Sequence, residues 1–250
     1  MSVAICYEGW GSVPTRYGQA RTLIALALSV CPSLRSCFLG IAGRGQIRCS
    51  LSRLEAAMMD IDPSWSVTIL DPTTRVKGAR FAISETFLTL SMNRELRGFY
   101  AYGQCLEKVV GNSASEEPFI SSLVGIAGAG VGYGTAFPTP SDAARYFSGV
   151  GPPQPLSNLL QPRKEKDWRD CISGTGDLSI IRDLYELNIW PNYFVERVRA
   201  HEFIYDRIVA EGAEFRELPC GAFLVRLPQA RIESARILLR QFLFIKPNPS

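Results

Sequence analysis

Residues Phe215 to Ile245 read FRELPCGAFLVRLPQARIESARILLRQFLFI, and this stretch sets the expected fold class. It reads as one strand leading into one helix. Phe223 and Val225 alternate with Leu224, so the strand presents apolar side chains to both faces, and Pro219 and Pro228 bound it. Gly221 is suited to a close approach by another backbone. Beyond Pro228, Ile232, Ala235, Leu239 and Phe242 recur at helical spacing, and Leu238 and Ile245 widen the stripe. A strand and helix of this kind form a core seam and carry no chemistry of their own.

Moving outward, Ser2 to Trp10 alternates as a strand, and a helix is expected from about Thr15, with Ala20, Leu23, Ala27, Val30 and Leu34 on one side. Gly40 to Gly45 reads as a glycine-punctuated loop and Leu51 to Ile61 as a second helix. Trp65–Leu70, Ala79–Ser84, Phe87–Ser91 and Gly98–Gly103 are short alternating segments separated by turns, which predicts an antiparallel meander. Gly125 to Gly134 places glycine at alternate positions, which weakens helix and strand alike unless another backbone lies close. Asp177 to Leu187 and Val198 to Ala210 read as helices, with an aromatic corner, Asn188 to Tyr193, between them. The fold class expected is α+β, an antiparallel sheet flanked by helices. Gly and Pro crowd 148–166, so the division expected is a lobe at 1–147, a loop or linker at 148–166, and a strand and helix lobe at 167–250. One compact domain remains the alternative.

The 250 residues carry a net charge of +3, with 46% hydrophobic and 20% charged residues, as an ordinary globular chain does. No basic run marks a nucleic-acid face, because Arg163-Lys164-Glu165-Lys166 is diluted by acid. The cysteines number 7, an odd count without CxxC spacing, and the N-terminus lacks the character of a signal peptide. Reduced thiols in a cytoplasmic protein are expected. The apolar tracts at 23–30 and 119–131 are too short, or too rich in Gly and Ser, to span a bilayer, so no membrane partner is expected.

No strong catalytic signature appears. The 125–134 run fails the dinucleotide fingerprint, since the sixth position is Tyr133 or Thr135 according to the starting glycine. No GxSxG or SxxK motif occurs. The single histidine, His201, sits among Arg197, Arg199 and Glu202 on an expected helix surface. Metal-ligand spacing is absent, and the carboxylate pairs Asp60/Asp62 and Glu116/Glu117 sit at loop or helix ends. No catalytic, metal or cofactor residue is therefore assigned, and the chain is expected not to be an enzyme. Aromatic and acidic residues beside turns remain as partner-binding candidates: Trp10, Tyr17, Glu116, Glu117, Trp190 and Tyr193. The alternative reading is an enzyme with a cysteine- or histidine-dependent hydrolytic site at Cys220 or His201.

Three pieces occur in order: the N-terminal strand with Trp10, Pro14 and a helix ending before Cys31-Pro32-Ser33-Leu34; the segment Asn188-Ile189-Trp190-Pro191-Asn192-Tyr193-Phe194; and Leu218-Pro219-Cys220-Gly221-Ala222-Phe223-Leu224-Val225 with its closing helix. This arrangement resembles a family of bacterial polymorphic-toxin immunity proteins that accompany restriction-endonuclease-like toxins, some delivered by type VI secretion. The resemblance implies a cytosolic protein without catalysis that binds a cognate toxin, expected to be a nuclease, and blocks it. The charge of +3 gives no global attraction for a basic groove, so an acidic patch would have to be local, at Glu116/Glu117 or Asp60/Asp62, or the block steric.

Overall fold

A computed structural model describes residues 2–10, 21–22, 24–26, 28–29, 36–41, 45–59, 65–69, 88–93, 98–137 and 180–244. The strands are β1 Ser2–Trp10, β2 Ser36–Ile41, β3 Gly45–Ser50, β4 Trp65–Ile69, β5 Leu88–Asn93, β6 Gly98–Gly103, β7 Ala129–Phe137, β8 Leu187–Pro191, β9 Glu214–Glu217 and β10 Ala222–Arg226. They form a 10-stranded sheet in the order β3-β2-β4-β5-β6-β1-β7-β8-β10-β9. The pairing is antiparallel throughout. The helices are α1 Leu51–Met59, α2 Ser113–Ala127, α3 Asn192–Arg199, α4 Glu202–Ala210 and α5 Ile232–Leu238, and the described residues between 21 and 29 are also helical. The fold is α+β, and the meander β4-β5-β6 lies within it.

Around β8 and β10 the strands are apolar on both sides, because residues of α2 pack on one face and residues of α3, α4 and α5 on the other. β8, LNIWP, is buried along its whole length. Its Ile189 joins a cluster with Ile5, Tyr7, Leu224 and, from α2, Phe119, Ile120 and Leu123. The next residue, Trp190, joins the other cluster, with Phe223, Val225, Phe194, Ile208 and Leu239. The period-2 alternation thus sorts one strand's residues into two cores. Leu224 against Phe223 and Val225 divides as the sequence predicts.

Several local expectations give way to tertiary contacts. The loop expected at 40–45 is strand at its described residues, since Gly40, Ile41 and Gly45 lie in the paired strands β2 and β3. The helix expected at 177–187 does not form over its described part. There the Leu184 amide donates to Asp183 Oδ1 at 2.8 Å, the Tyr185 amide to Asn188 Oδ1 at 3.0 Å, and the Ile181 amide to the Phe242 carbonyl at 2.8 Å. Side chains and a distant turn take the donors that helical bonding would use. The helix expected at 198–210 is divided by Ala200 and His201 into α3 and α4. The opening stretch holds two strands rather than one. β9 and β10 are joined by a turn in which Gly221 has φ +80°, and a Cβ there would meet nothing within 4 Å, so backbone conformation rather than close approach calls for glycine. Residues 79–84 and the expected linker at 148–166 lie outside the described residues. β7 and β8, from the two expected lobes, pair directly through Gly132–Ile189, Tyr133–Asn188 and Gly134–Leu187.

The glycine run ends α2 and enters β7. Gly128 closes the helix at φ +87°, its amide donating to the Val124 carbonyl at 2.8 Å. A Cβ on Gly132 would lie 2.7 Å from Tyr7 Cδ2 and 2.9 Å from the Cys6 carbonyl oxygen, while one on Gly134 would meet the end of the Leu187 side chain at 2.6 Å. A leucine end can rotate aside and a paired carbonyl cannot. Gly132→Ala is therefore expected to cost about 1–3 kcal/mol, and more than Gly134→Ala. Urea midpoints at unchanged slope measure the order, and a reversed order would refute it.

Candidate functional site

The C-terminal helices use their apolar residues in two ways. In α3, Phe194, Val195 and Val198 face inward at helical spacing and are buried. In α4, Ile208 is buried and Ile204 and Tyr205 are packed beside the core, which suffices to dock a nine-residue helix. In α5, Ile232 and Ala235 point inward, followed by Leu239 and Phe242, the stripe expected from the sequence. Phe203 and Ile237 belong to neither inward stripe. They are 72% and 62% exposed.

With Ile204, Leu238, Arg240 and Gln241, these residues line an open groove of about 640 Å³ between α4 and the end of α5. Two large apolar side chains at a groove cannot be explained by core packing. Exposed apolar groups beside a concavity are the ordinary makings of a protein-docking surface. Aromatic contacts gather at Phe242, next in the chain to the groove residue Gln241. Phe242 packs edge-on to Phe194 with centroids 5.8 Å apart, His201 lies 5.6 Å from the Phe242 ring, and the Arg197 guanidinium sits 5.4 Å over it.

A buried ionic cluster holds α5 against the 180–186 segment. Arg236 donates to both carboxylate oxygens of Asp183, from Nε at 2.7 Å and from Nη2, and to Glu233 at 2.9 Å. Burial pushes the Asp183 carboxyl up, against the opposing pull of Arg236. Burial also draws the Arg236 guanidinium down, but its contacts with Asp183 and Glu233 outweigh this and leave it above its ordinary range. Arg182 donates to Tyr133 Oη at 2.7 Å in the same cluster, and Tyr133 stacks on Tyr185 at 4.2 Å. Neither Asp183 nor Arg236 was singled out from the sequence, because Arg236 lies inside an otherwise ordinary amphipathic helix pattern.

Of the residues proposed from sequence, those whose side chains are described take different roles. Trp190 is 1% exposed and fills the second core, T-shaped against Phe194 at 5.1 Å and Phe215 at 5.9 Å. Tyr193 lies on the exposed side of α3, at 41%. The Trp10 backbone pairs with Ala129 at the end of β1. Tyr17, Asp60 and Asp62 lie outside the described residues. Glu116 and Glu117 begin α2, but both are spoken for. Glu116 is buried, accepts from the Gly111 amide at 3.1 Å and pairs with Arg226 of β10, while Glu117 pairs with Arg216 of β9 at 2.6 Å. These acids tie a helix to the sheet instead of presenting a free acidic patch.

Thiols and the histidine are likewise separated by role. His201 is exposed at the start of α4 and contributes no side-chain cap. Cys220 is exposed in the β9–β10 turn, while Cys6 and Cys49 are buried. Burial pushes the Cys49 thiol up despite the nearby Arg53, away from the thiolate that nucleophilic chemistry uses. Burial, aided by Cys220 and Tyr193, pushes the Tyr7 phenol far above its ordinary range, and its hydroxyl donates to the Gly128 carbonyl at 2.8 Å. Among the described residues no group of three or more His, Cys, Asp or Glu side chains could hold a metal ion, and no helix is long and apolar enough to cross a membrane.

No family model and no curated protein matches the chain. Among solved structures the chain is similar to a Pseudomonas aeruginosa T6SS protein, PA0821. The TM-score is 0.54 at 10% identity, and the match covers 100% of this chain and 76% of that one. At that identity the likeness is one of fold: this chain shares its architecture with a type VI secretion system protein.

Proposed function

We propose that this chain is a cytoplasmic immunity protein that binds a cognate toxin, expected to be a nuclease effector, and neutralises it without catalysis. The observation that carries this reading is the pair Phe203 and Ile237, exposed at the α4–α5 groove. The shared architecture with a T6SS protein supports the setting, and the order of the three sequence pieces supports the family. Tyr193, exposed on α3, is proposed as a further contact, and Trp190 as the core residue that positions its helix. Because Glu116 and Glu117 are already paired, binding through the groove is apolar and steric rather than an acidic mimic of nucleic acid.

Co-expression with the toxin encoded beside this gene should restore growth and give a complex that survives size exclusion. Joint replacement Phe203→Ala and Ile237→Ala should weaken that complex at least tenfold, the scale of a lost hot spot of about 1.4 kcal/mol or more. Folding stability should change by no more than about 0.5 kcal/mol, since exposed sites seldom contribute more. No rescue and no complex would dispose of the immunity reading. A complex indifferent to both replacements would move the docking site elsewhere.

A further inference from the structure

β9 ends the sheet. It pairs with β10 on one side and, among the described residues, has no strand on the other. Bonds at both ends of β10 fix which backbone groups of β9 point outward. The Leu218 amide donates to the Ala222 carbonyl at 2.8 Å, so in the antiparallel alternation Arg216–Leu224 and Glu214–Arg226 are the hydrogen-bonded pairs. On the opposite edge of β10, the Val225 carbonyl accepts from Asn188 Nδ2 at 3.3 Å and the Leu227 amide donates to the Glu186 carbonyl at 3.0 Å, which requires the same alternation. The amides and carbonyls of Phe215 and Glu217 therefore face away from the sheet.

We infer that the outer edge of β9 accepts an extended basic segment of a partner protein as a further strand. An open ladder supplies the hydrogen bonds, and side chains at fixed spacing select the sequence. Glu214 and Glu217 are exposed, and among the described residues neither has a cation partner. The cations nearest them in the ladder are engaged elsewhere, Arg216 by Glu117 and Arg226 by Glu116. Between the two carboxylates lies Phe215, half-buried, its ring held against Trp190 at 5.9 Å and Tyr205 at 5.3 Å. An incoming strand with basic residues three apart and an apolar residue opposite Phe215 satisfies every position. A second copy of this chain does not, because the one basic side chain that β9 could bring against itself is Arg216, which Glu117 already engages. The inference stands apart from the immunity reading, since it concerns a different surface and holds for any partner with such a segment.

The probe is the capped hexapeptide Thr-Lys-Thr-Val-Lys-Thr, followed by amide NMR titration of the whole protein. Resonances of Phe215 and Glu217 are expected to shift most. The double replacement Glu214→Lys and Glu217→Lys should weaken binding about tenfold, the scale of a few exposed charge pairs reversed. The same peptide N-methylated on alternate residues should not bind. Equal binding by a peptide with Glu in place of Lys, or by the N-methylated peptide, would overturn the inference. Shifts centred on Phe203 and Ile237 would place the peptide in the helical groove and overturn it too. Sedimentation velocity showing dimers that bury the Phe215 and Glu217 amides would give the edge to a second copy and likewise refute it.

Discussion

Arg236→Met is expected to destabilise the protein by about 3–5 kcal/mol, because it leaves the Asp183 carboxylate buried with its bidentate partner gone. Asp183 is 3% exposed, and water cannot replace the guanidinium without opening the contact between α5 and the 180–186 segment. The loss should depend on pH with a definite sign. Burial already pushes the Asp183 carboxyl up in the intact protein, and without Arg236 the opposing pull disappears. The folded variant then takes up a proton more readily than its unfolded chain does. Its deficit relative to the parent should shrink as pH falls through the raised value toward the ordinary aspartate range. Urea unfolding of both proteins across that range measures this. A deficit that stays constant or grows on acidification would show that the lost contribution was packing alone. Replacing both partners by apolar residues of similar shape should recover much of the stability, since the penalty lies in the orphaned charge.

Trp190→Ala is expected to cost about 3–5 kcal/mol through the cavity it leaves among Phe194, Phe215 and the rest of the second core. Trp190→Phe, which keeps much of the ring contact, should cost less. The pair separates two roles that aromatic residue type alone cannot. If Trp190→Ala left the urea midpoint in place and abolished partner binding, Trp190 would belong to the docking surface after all. The expected pattern is the reverse: a large stability loss, with binding retained at temperatures where the variant remains folded.

The contrast between Trp190 and Ile237 shows where sequence reasoning reaches its limit. Trp190 stands beside Pro191 in a segment that looks like a surface corner, yet its strand is buried along its whole length between two helical layers. Ile237 sits in α5, whose inward stripe, Ile232 and Ala235, continues past the helix end as Leu239 and Phe242, all buried. Its displacement from that stripe was readable as a surplus apolar residue. What could not be read was that α4 would place Phe203 beside it, because that meeting depends on how two helices pack. Glu116 and Glu117 make the same point for charge. Adjacent acids suggest an acidic patch, but the arginines that engage them lie about a hundred positions away in the chain.

The alternation of Phe223, Leu224 and Val225, the helical stripe after Pro228 and the strand at Ser2–Trp10 were determined by the sequence itself, because side-chain direction follows backbone period within a few residues. The α+β class followed from those periods. Tertiary structure decided the rest. It turned 180–186 away from helix by giving its amides to Asp183, Asn188 and Phe242, and split one expected helix into α3 and α4. Among the described residues it made β9 an edge and turned the amides of Phe215 and Glu217 outward. These outcomes depend on hydrogen-bond partners and packing surfaces that distant segments bring, so local periodicity carries no record of them.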